Sequence, residues 1–228
     1  MDSIIFDVDG TLWDSTAACA QAWNEAILRE TGKSMNFTEH TLKSLFGRLL
    51  PDIAKVIFPD CTTERQLYLI DLCCQEEHRA LLKQCAPLYP NLEDTLQKLS
   101  EKYRLFIVSN CQAGYIEVFL QSSHLGKYFE GHLCPGDTGN AKADNIAQII
   151  RDYRLESPVY VGDTDGDFRA SHEAGIPFVF ASYGFGQVSS PDYTINCPEE
   201  LLELFSCHEF RSSRVTGHGV NSNTPKRT

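Results

Sequence analysis

A chain of 228 residues with 42% apolar and 22% charged side chains has the length and composition of a folded soluble protein with a sizeable core. Its net charge of −11 argues against nucleic acid, whose phosphates select basic faces, but leaves room for a small phosphorylated ligand held by a metal and a lysine. The nine cysteines are an odd number, and neither a leader peptide nor an apolar run of about 18 residues is visible, so a reduced cytoplasmic protein away from membranes is expected.

The first element is a short apolar strand over 3–6 that ends in Asp7-Val8-Asp9-Gly10-Thr11. A buried parallel strand has this form, and ligands of open α/β sheets collect at its carboxyl end. After Asp14 the pattern turns helical. Ser15 reads as an N-cap, and Ala18, Ala22, Trp23, Ala26 and Ile27 recur at helical spacing. Further helices are expected over 38–46, 50–57 and 63–83, so that 15–87 forms an all-helical insert. Pro87 and Pro90 close it.

From there helix and strand alternate. Helices are expected at 91–102, 114–122, 141–153, 168–174 and 199–205, and strands at 104–108, 128–134, 158–161, 177–181 and 193–195. This order predicts an α/β fold, a Rossmann-like doubly wound parallel sheet with an inserted helical cap. Residues 1–14 and 88–208 would form the core, 15–87 the cap, and the polar stretch 209–228 a disordered tail.

Three later sites fall where strands end: Ser109-Asn110, Lys142 at a helix start, and Gly162-Asp163 through Asp167. Each alone reads as a turn, a surface lysine or a helix cap. The acidic runs are not EF-hand loops, because the sixth and twelfth positions are Phe168 and Ala174 counted from Asp163, and Leu12 and Ala18 counted from Asp7. Together the sites project from one sheet edge. There Asp7, Asp9, Asp163 and Asp167 crowd a pocket that cannot stay ionised without a cation, and oxygen ligands in a compact set suit magnesium. Lys142 and the Ser109 hydroxyl supply the charge and donor that a phosphoryl oxygen needs. One carboxylate can attack phosphorus while another, two residues on, gives and takes a proton.

The ordered set Asp7-Val-Asp9-Gly-Thr11, Ser109, Lys142 and Gly162-Asp163 to Asp167 resembles the motifs of the haloacid dehalogenase superfamily, in its phosphatase branch with a helical cap. The nearest look is that of the phosphoglycolate phosphatase and β-phosphoglucomutase group. The resemblance implies Asp7 as nucleophile, Asp9 as general acid and then base, and Lys142 as the neutralising cation. It implies Thr11, Ser109 and Asn110 around the phosphoryl group, with magnesium held by Asp7, the Asp9 carbonyl, Asp163 and Asp167. Gly47-Arg48 resembles a cap position that contacts substrate. Two departures stand out: Lys142 is followed by Ala143-Asp144 rather than a Pro-containing run, and Trp13 is bulkier than the residue usual there.

The activity implied is hydrolysis of a small phosphorylated metabolite through an aspartyl-phosphate, by a monomer or homodimer. A phosphomutase or pyrophosphatase on the same core is the enzymatic alternative. A phospho-aspartate signalling module is the non-enzymatic one, although such modules are shorter and carry their phosphate on a later strand.

Overall fold

The computed structural model describes residues 1–206. The tail expected at 209–228 lies outside the described residues. Six parallel strands form one sheet: β1 (Ser3–Phe6), β2 (Arg104–Val108), β3 (Gly131–Leu133), β4 (Pro158–Gly162), β5 (Phe178–Ala181) and β6 (Tyr193–Ile195), in the order β3-β2-β1-β4-β5-β6. The N-terminal strand is therefore central. Phe6 pairs in register with Ile107 on one side and Val161 on the other, which aligns the ends of β1, β2 and β4 on one edge.

The period-2 alternation of β1 sorts its residues between two apolar layers. Ile4 and Phe6 join the larger cluster, and Ile5 joins a second one with Phe106, Tyr160 and Phe178. The second layer is covered by helices α8 (Lys142–Tyr153) and α9 (Asp165–Glu173). The larger layer takes α5 (Leu92–Ser100), α6 (Tyr115–Ser123) and α10 (Glu200–Ser206). Burial on both faces is why the four inner strands β1, β2, β4 and β5 are almost wholly apolar.

Four helices separate β1 from α5: α1 (Thr16–Thr31), α2 (Glu39–Lys43), α3 (Leu50–Ile57) and α4 (Thr63–Lys83). α1 and α3 both pack on α4. The chain enters and leaves this bundle side by side, because Asp14 N–H donates to Pro87 O at 3.0 Å and Tyr89 N–H to Leu12 O at 3.2 Å. Trp13 sits in that crossing, fully buried, with its ring edge-on to Phe119 at 5.0 Å and to Tyr115 at 5.9 Å. The bulk that departs from the family pattern thus cements the junction.

Several expectations shift in detail. The strand expected over 128–134 shrinks to Gly131–Leu133, because Gly126–Tyr128 closes into a single 3₁₀ turn. A short helix α7 (Pro135–Thr138) follows it. The helix expected from Phe168 begins at Asp165, since Thr164 and Asp167 form a reciprocal capping box. The N-cap role expected of Ser15 falls instead to the side chain of Asp14, which accepts Thr16 N–H at 3.1 Å. The eight described cysteines are free. No described helix is long and apolar enough to cross a membrane.

Candidate active site

Asp7 follows β1, Ser109 follows β2 and Asp163 follows β4, so the register of the sheet carries all three to its carboxyl edge. Lys142 is the first residue of α8 and reaches in from the side. Its Nζ donates to Asp7 Oδ1 at 2.8 Å and to Asp167 Oδ1 at 2.5 Å, with all three side chains almost wholly buried. Burial alone would strip the lysine of its charge, but Asp167 and Asp7 outweigh it and hold its pKa well above normal. Burial drives Asp7 the other way, up to about 6, with Lys142 and Ser109 holding it down and the Asp167 charge adding to the rise.

The acidic cluster comprises Asp7, Asp163 and Asp167, each offering a carboxylate oxygen within 4.8 Å of the others. Asp163 is fully buried. Its Oδ2 accepts Phe185 N–H at 2.7 Å, whereas Oδ1 has no partner among the described residues. Burial, then the charges of Asp167 and Asp7, push its pKa well up. Three buried carboxyls against one ammonium leave an excess of negative charge that water cannot solvate. An orphaned carboxylate oxygen amid oxygen-only donors fits a hard divalent cation.

The loop 184–186 and Gly10 hold Asp163 in place. Gly10 has φ +79°, and a Cβ there would overlap the Asp163 carboxylate. Gly10→Ala is therefore expected to cost about 1–3 kcal/mol from the left-handed backbone alone, and to displace Asp163 as well. Thermal melts with and without magnesium would check this: the variant should lose both stability and metal-dependent stabilisation.

Asp9 is built differently from Asp7. Its Oδ1 takes three donors, Ser15 Oγ at 2.6 Å, Tyr115 OH at 2.8 Å and Trp13 Nε1 at 2.9 Å, and among the described residues Oδ2 takes none. Among the described residues no cation pairs with it. Burial pushes its pKa up to about 7, partly offset by the hydrogen bonds from Ser15 and Tyr115 and raised further by the Asp7 charge. Its side chain stands outside the cluster of Asp7, Asp163 and Asp167, so beside those three carboxylates Asp9 can offer a metal only its backbone carbonyl. Ser15, Tyr115 and Trp13 escaped the sequence reading as site residues. The one signal was spacing, since Trp13 and Ser15 lie four and six residues after Asp9; Tyr115 gave none.

The other expected residues divide. Thr11 and Ser109 are buried at the same edge, and the Thr11 hydroxyl has no partner. Asn110 links to the helical insert: its Nδ2 donates to Gly47 O at 2.9 Å, while its buried Oδ1, an acceptor, has no partner among the described residues. Arg48 is exposed but reaches the wall of the cavity that contains Asp7 and Asp9. That cavity is about 30 Å³ in volume, room for roughly one water. A residue on its wall that sequence reading passed over is Glu77 of α4, a buried carboxyl held by Trp23 Nε1 at 2.5 Å and by Gln112 Nε2.

A parallel α/β sheet that carries two carboxylates two residues apart, a buried lysine and an acid cluster fitting a divalent cation at its carboxyl edge has the layout of a hydrolase site. A family model described as haloacid dehalogenase-like hydrolase matches residues 4–181, and the chain belongs to that family. It is 29% identical over 216 residues to a phosphoglycolate phosphatase of Aquifex aeolicus, spanning 91% of this chain and 98% of that one. It is 25% identical over 220 residues to a phosphoglycolate phosphatase of Vibrio parahaemolyticus, spanning 88% and 94%. Among solved structures, a haloacid dehalogenase-like family hydrolase from Streptococcus pneumoniae superposes with a TM-score of 0.77 at 24% identity, over 90% of this chain and 98% of that one. CbbY from Rhodobacter sphaeroides, solved in complex with phosphate, superposes with a TM-score of 0.74 at 16% identity, over 88% and 96%.

Proposed function

We propose that the chain is a magnesium-dependent phosphatase that hydrolyses a small phosphate monoester through a phosphoryl-Asp7 intermediate. The observation that carries this reading is the contrast between two carboxylates two residues apart. Asp7 is paired with Lys142 and kept available as an anion. Asp9 lacks a cation, presents one oxygen without a donor and is pushed up to about 7. Two neighbouring carboxylates held by such different partners suit the separate roles of nucleophile and acid.

In the first step an Asp7 oxygen bonds to phosphorus as the ester P–O bond breaks. The alcohol oxygen leaves with the electron pair and takes the proton of Asp9. In the second, Asp9 accepts a proton from water while the water oxygen bonds to phosphorus and the Asp7–phosphorus bond breaks. Inorganic phosphate leaves and Asp7 is restored. Lys142 balances the charge of Asp7 throughout, and the Thr11 and Ser109 hydroxyls donate to phosphoryl oxygens. Magnesium, held by Asp7, the Asp9 carbonyl, Asp163 and Asp167, would neutralise charge on the transferring group. The helices of 15–87 act as the cap. A cavity of about 30 Å³ admits no ester, so the cap opens for substrate and closes to exclude water.

Hydrolysis of p-nitrophenyl phosphate by chelated protein, with and without added magnesium, tests the reading. Turnover that appears on adding magnesium supports it, and a folded, metal-loaded protein that turns over no phosphate ester overturns it. The pH profile adds a finer test with an alkyl phosphate, whose leaving oxygen needs the proton. Activity should fall as pH rises through about 7, where Asp9 loses its acid form. The Tyr115 hydroxyl holds that pKa down, so Tyr115→Phe should move the fall about one pH unit towards alkaline values.

A further inference from the structure

A phosphate ester has an organic half, and the catalytic cavity has no room for it. A neighbouring cleft of about 660 Å³ does. It runs between α3 and α4 on the cap side and the segments after β2 and before α8 on the core side. Leu50, Cys111 and Gln112 line both spaces. The other sizeable cavity beside the cap, about 590 Å³ along α1 and the end of α4, shares no wall residue with the catalytic one. Gln112 is the partition between the catalytic cavity and the cleft. Its amide nitrogen donates to Glu77 on the catalytic side and lies 2.9 Å from His78 Nε2 on the cleft side.

The chemistry of the walls selects what can enter. Leu49, Leu50, Leu67 and Ile70 make the cap side of the cleft apolar, with Leu49 and Leu67 left exposed. Among the described residues no lysine or arginine lines it, and Asp71 is its one acidic residue. On the catalytic side Glu77 is buried against neutral donors, without a cation partner among the described residues. Burial pushes its carboxyl up to about 8, so this wall is uncharged at neutral pH. Arg48 is exposed at the rim. A leaving group bearing a carboxylate would be desolvated beside Asp71 and the uncharged Glu77 wall, with no lysine or arginine among the described lining residues of the cleft to receive it. A neutral apolar body would instead cover Leu49 and Leu67 and gain by their burial.

We propose that the cleft between α3, α4 and the segment after β2 receives the organic half of the substrate, and that this half is an uncharged, mainly apolar alcohol. The inference rests on the phosphatase reading and narrows its substrate class.

The test compares kcat/KM for 3-phenylpropyl phosphate and 2-phosphoglycolate, both with alkyl leaving oxygens, using acetyl phosphate as a small reference. The expected preference is about tenfold or more for the phenylpropyl ester, the scale on which a fitted apolar pocket discriminates. Leu67→Lys, at an exposed wall position where folding is safe, should reduce that preference at least about fivefold. Equal or faster turnover of 2-phosphoglycolate overturns the inference, and so does an unchanged preference in Leu67→Lys. If acetyl phosphate is hydrolysed while phosphoglycolate is preferred, the substrate class alone fails. If the metal-loaded protein hydrolyses none of the three, the phosphatase reading fails and the inference with it.

Discussion

Asp7→Asn is expected to lower kcat by about 10⁴-fold or more, the scale seen when a covalent nucleophile is removed. The amide oxygen of asparagine carries no negative charge and cannot form the phosphoryl bond. Its shape is that of the aspartate, so the buried site should stay packed. The charge bookkeeping also favours the fold: Lys142 keeps Asp167 at 2.5 Å, and one of three crowded carboxylates disappears. Without metal, the variant should therefore melt no lower than the wild type. Magnesium, however, should raise its melting temperature less, because an anionic ligand has been removed. Phosphate release and paired melts with and without magnesium report these together. A variant that retains turnover within tenfold of wild type would show that Asp7 is not the nucleophile.

The sheet was legible because its inner strands are short apolar runs, buried on both faces and closed by turn residues. The acids and hydroxyls at their ends were legible for the same reason. Chain order alone put Asp7, Ser109 and Asp163 at one edge, and the pairing of Phe6 with Ile107 and Val161 places them there. What stayed hidden depends on side chains that meet only in three dimensions. Tyr115 lies 106 residues from Asp9 and looks like an ordinary aromatic at a helix start. Ser15 has the position of a cap, but its hydroxyl is drawn to the carboxylate of Asp9 and leaves the cap to Asp14. Glu77 sits in the long α4, whose periodicity reads as an amphipathic helix with the acid among its solvated positions. Burial between Trp23 and Gln112 makes it a site residue, and that burial follows from the cap folding back on the core.

That folding back is held by polar contacts as well as apolar ones. Asn110 reaches Gly47 across the cavity, Gln112 reaches Glu77, and Lys43 of α2 lies over the Phe185 ring at 5.5 Å, next to the backbone that holds Asp163. Each links a cap residue to a segment that also positions an active-site group. The placement of these helices and the geometry of the site are therefore linked.

Lys142→Met tests the electrostatic core of the site most severely. Methionine matches the length of the buried stem but removes the one ammonium that the described residues place among Asp7, Asp163 and Asp167. Deleting one partner of a buried ion pair leaves uncompensated charge and costs about 3–5 kcal/mol. For a chain of this size that corresponds to roughly 6–20 °C in Tm. The loss has a definite pH sign. Asp7 is already raised to about 6 with the lysine present, and without it the pKa rises further. A raised carboxyl favours the protonated folded state, so the penalty is largest above that pKa and shrinks as pH falls and Asp7 is neutralised. Metal-free melts at pH 8 and pH 5 should therefore show a wide gap between variant and wild type that narrows in acid. Magnesium at pH 8 should close part of the same gap by restoring positive charge. Turnover should fall about 10²–10³-fold even with metal present, because the ammonium no longer balances Asp7 during phosphoryl transfer. A variant as stable as wild type at pH 8 without metal would mean that these carboxyls are not ionised together, and the case for a divalent cation at this edge would fall with it.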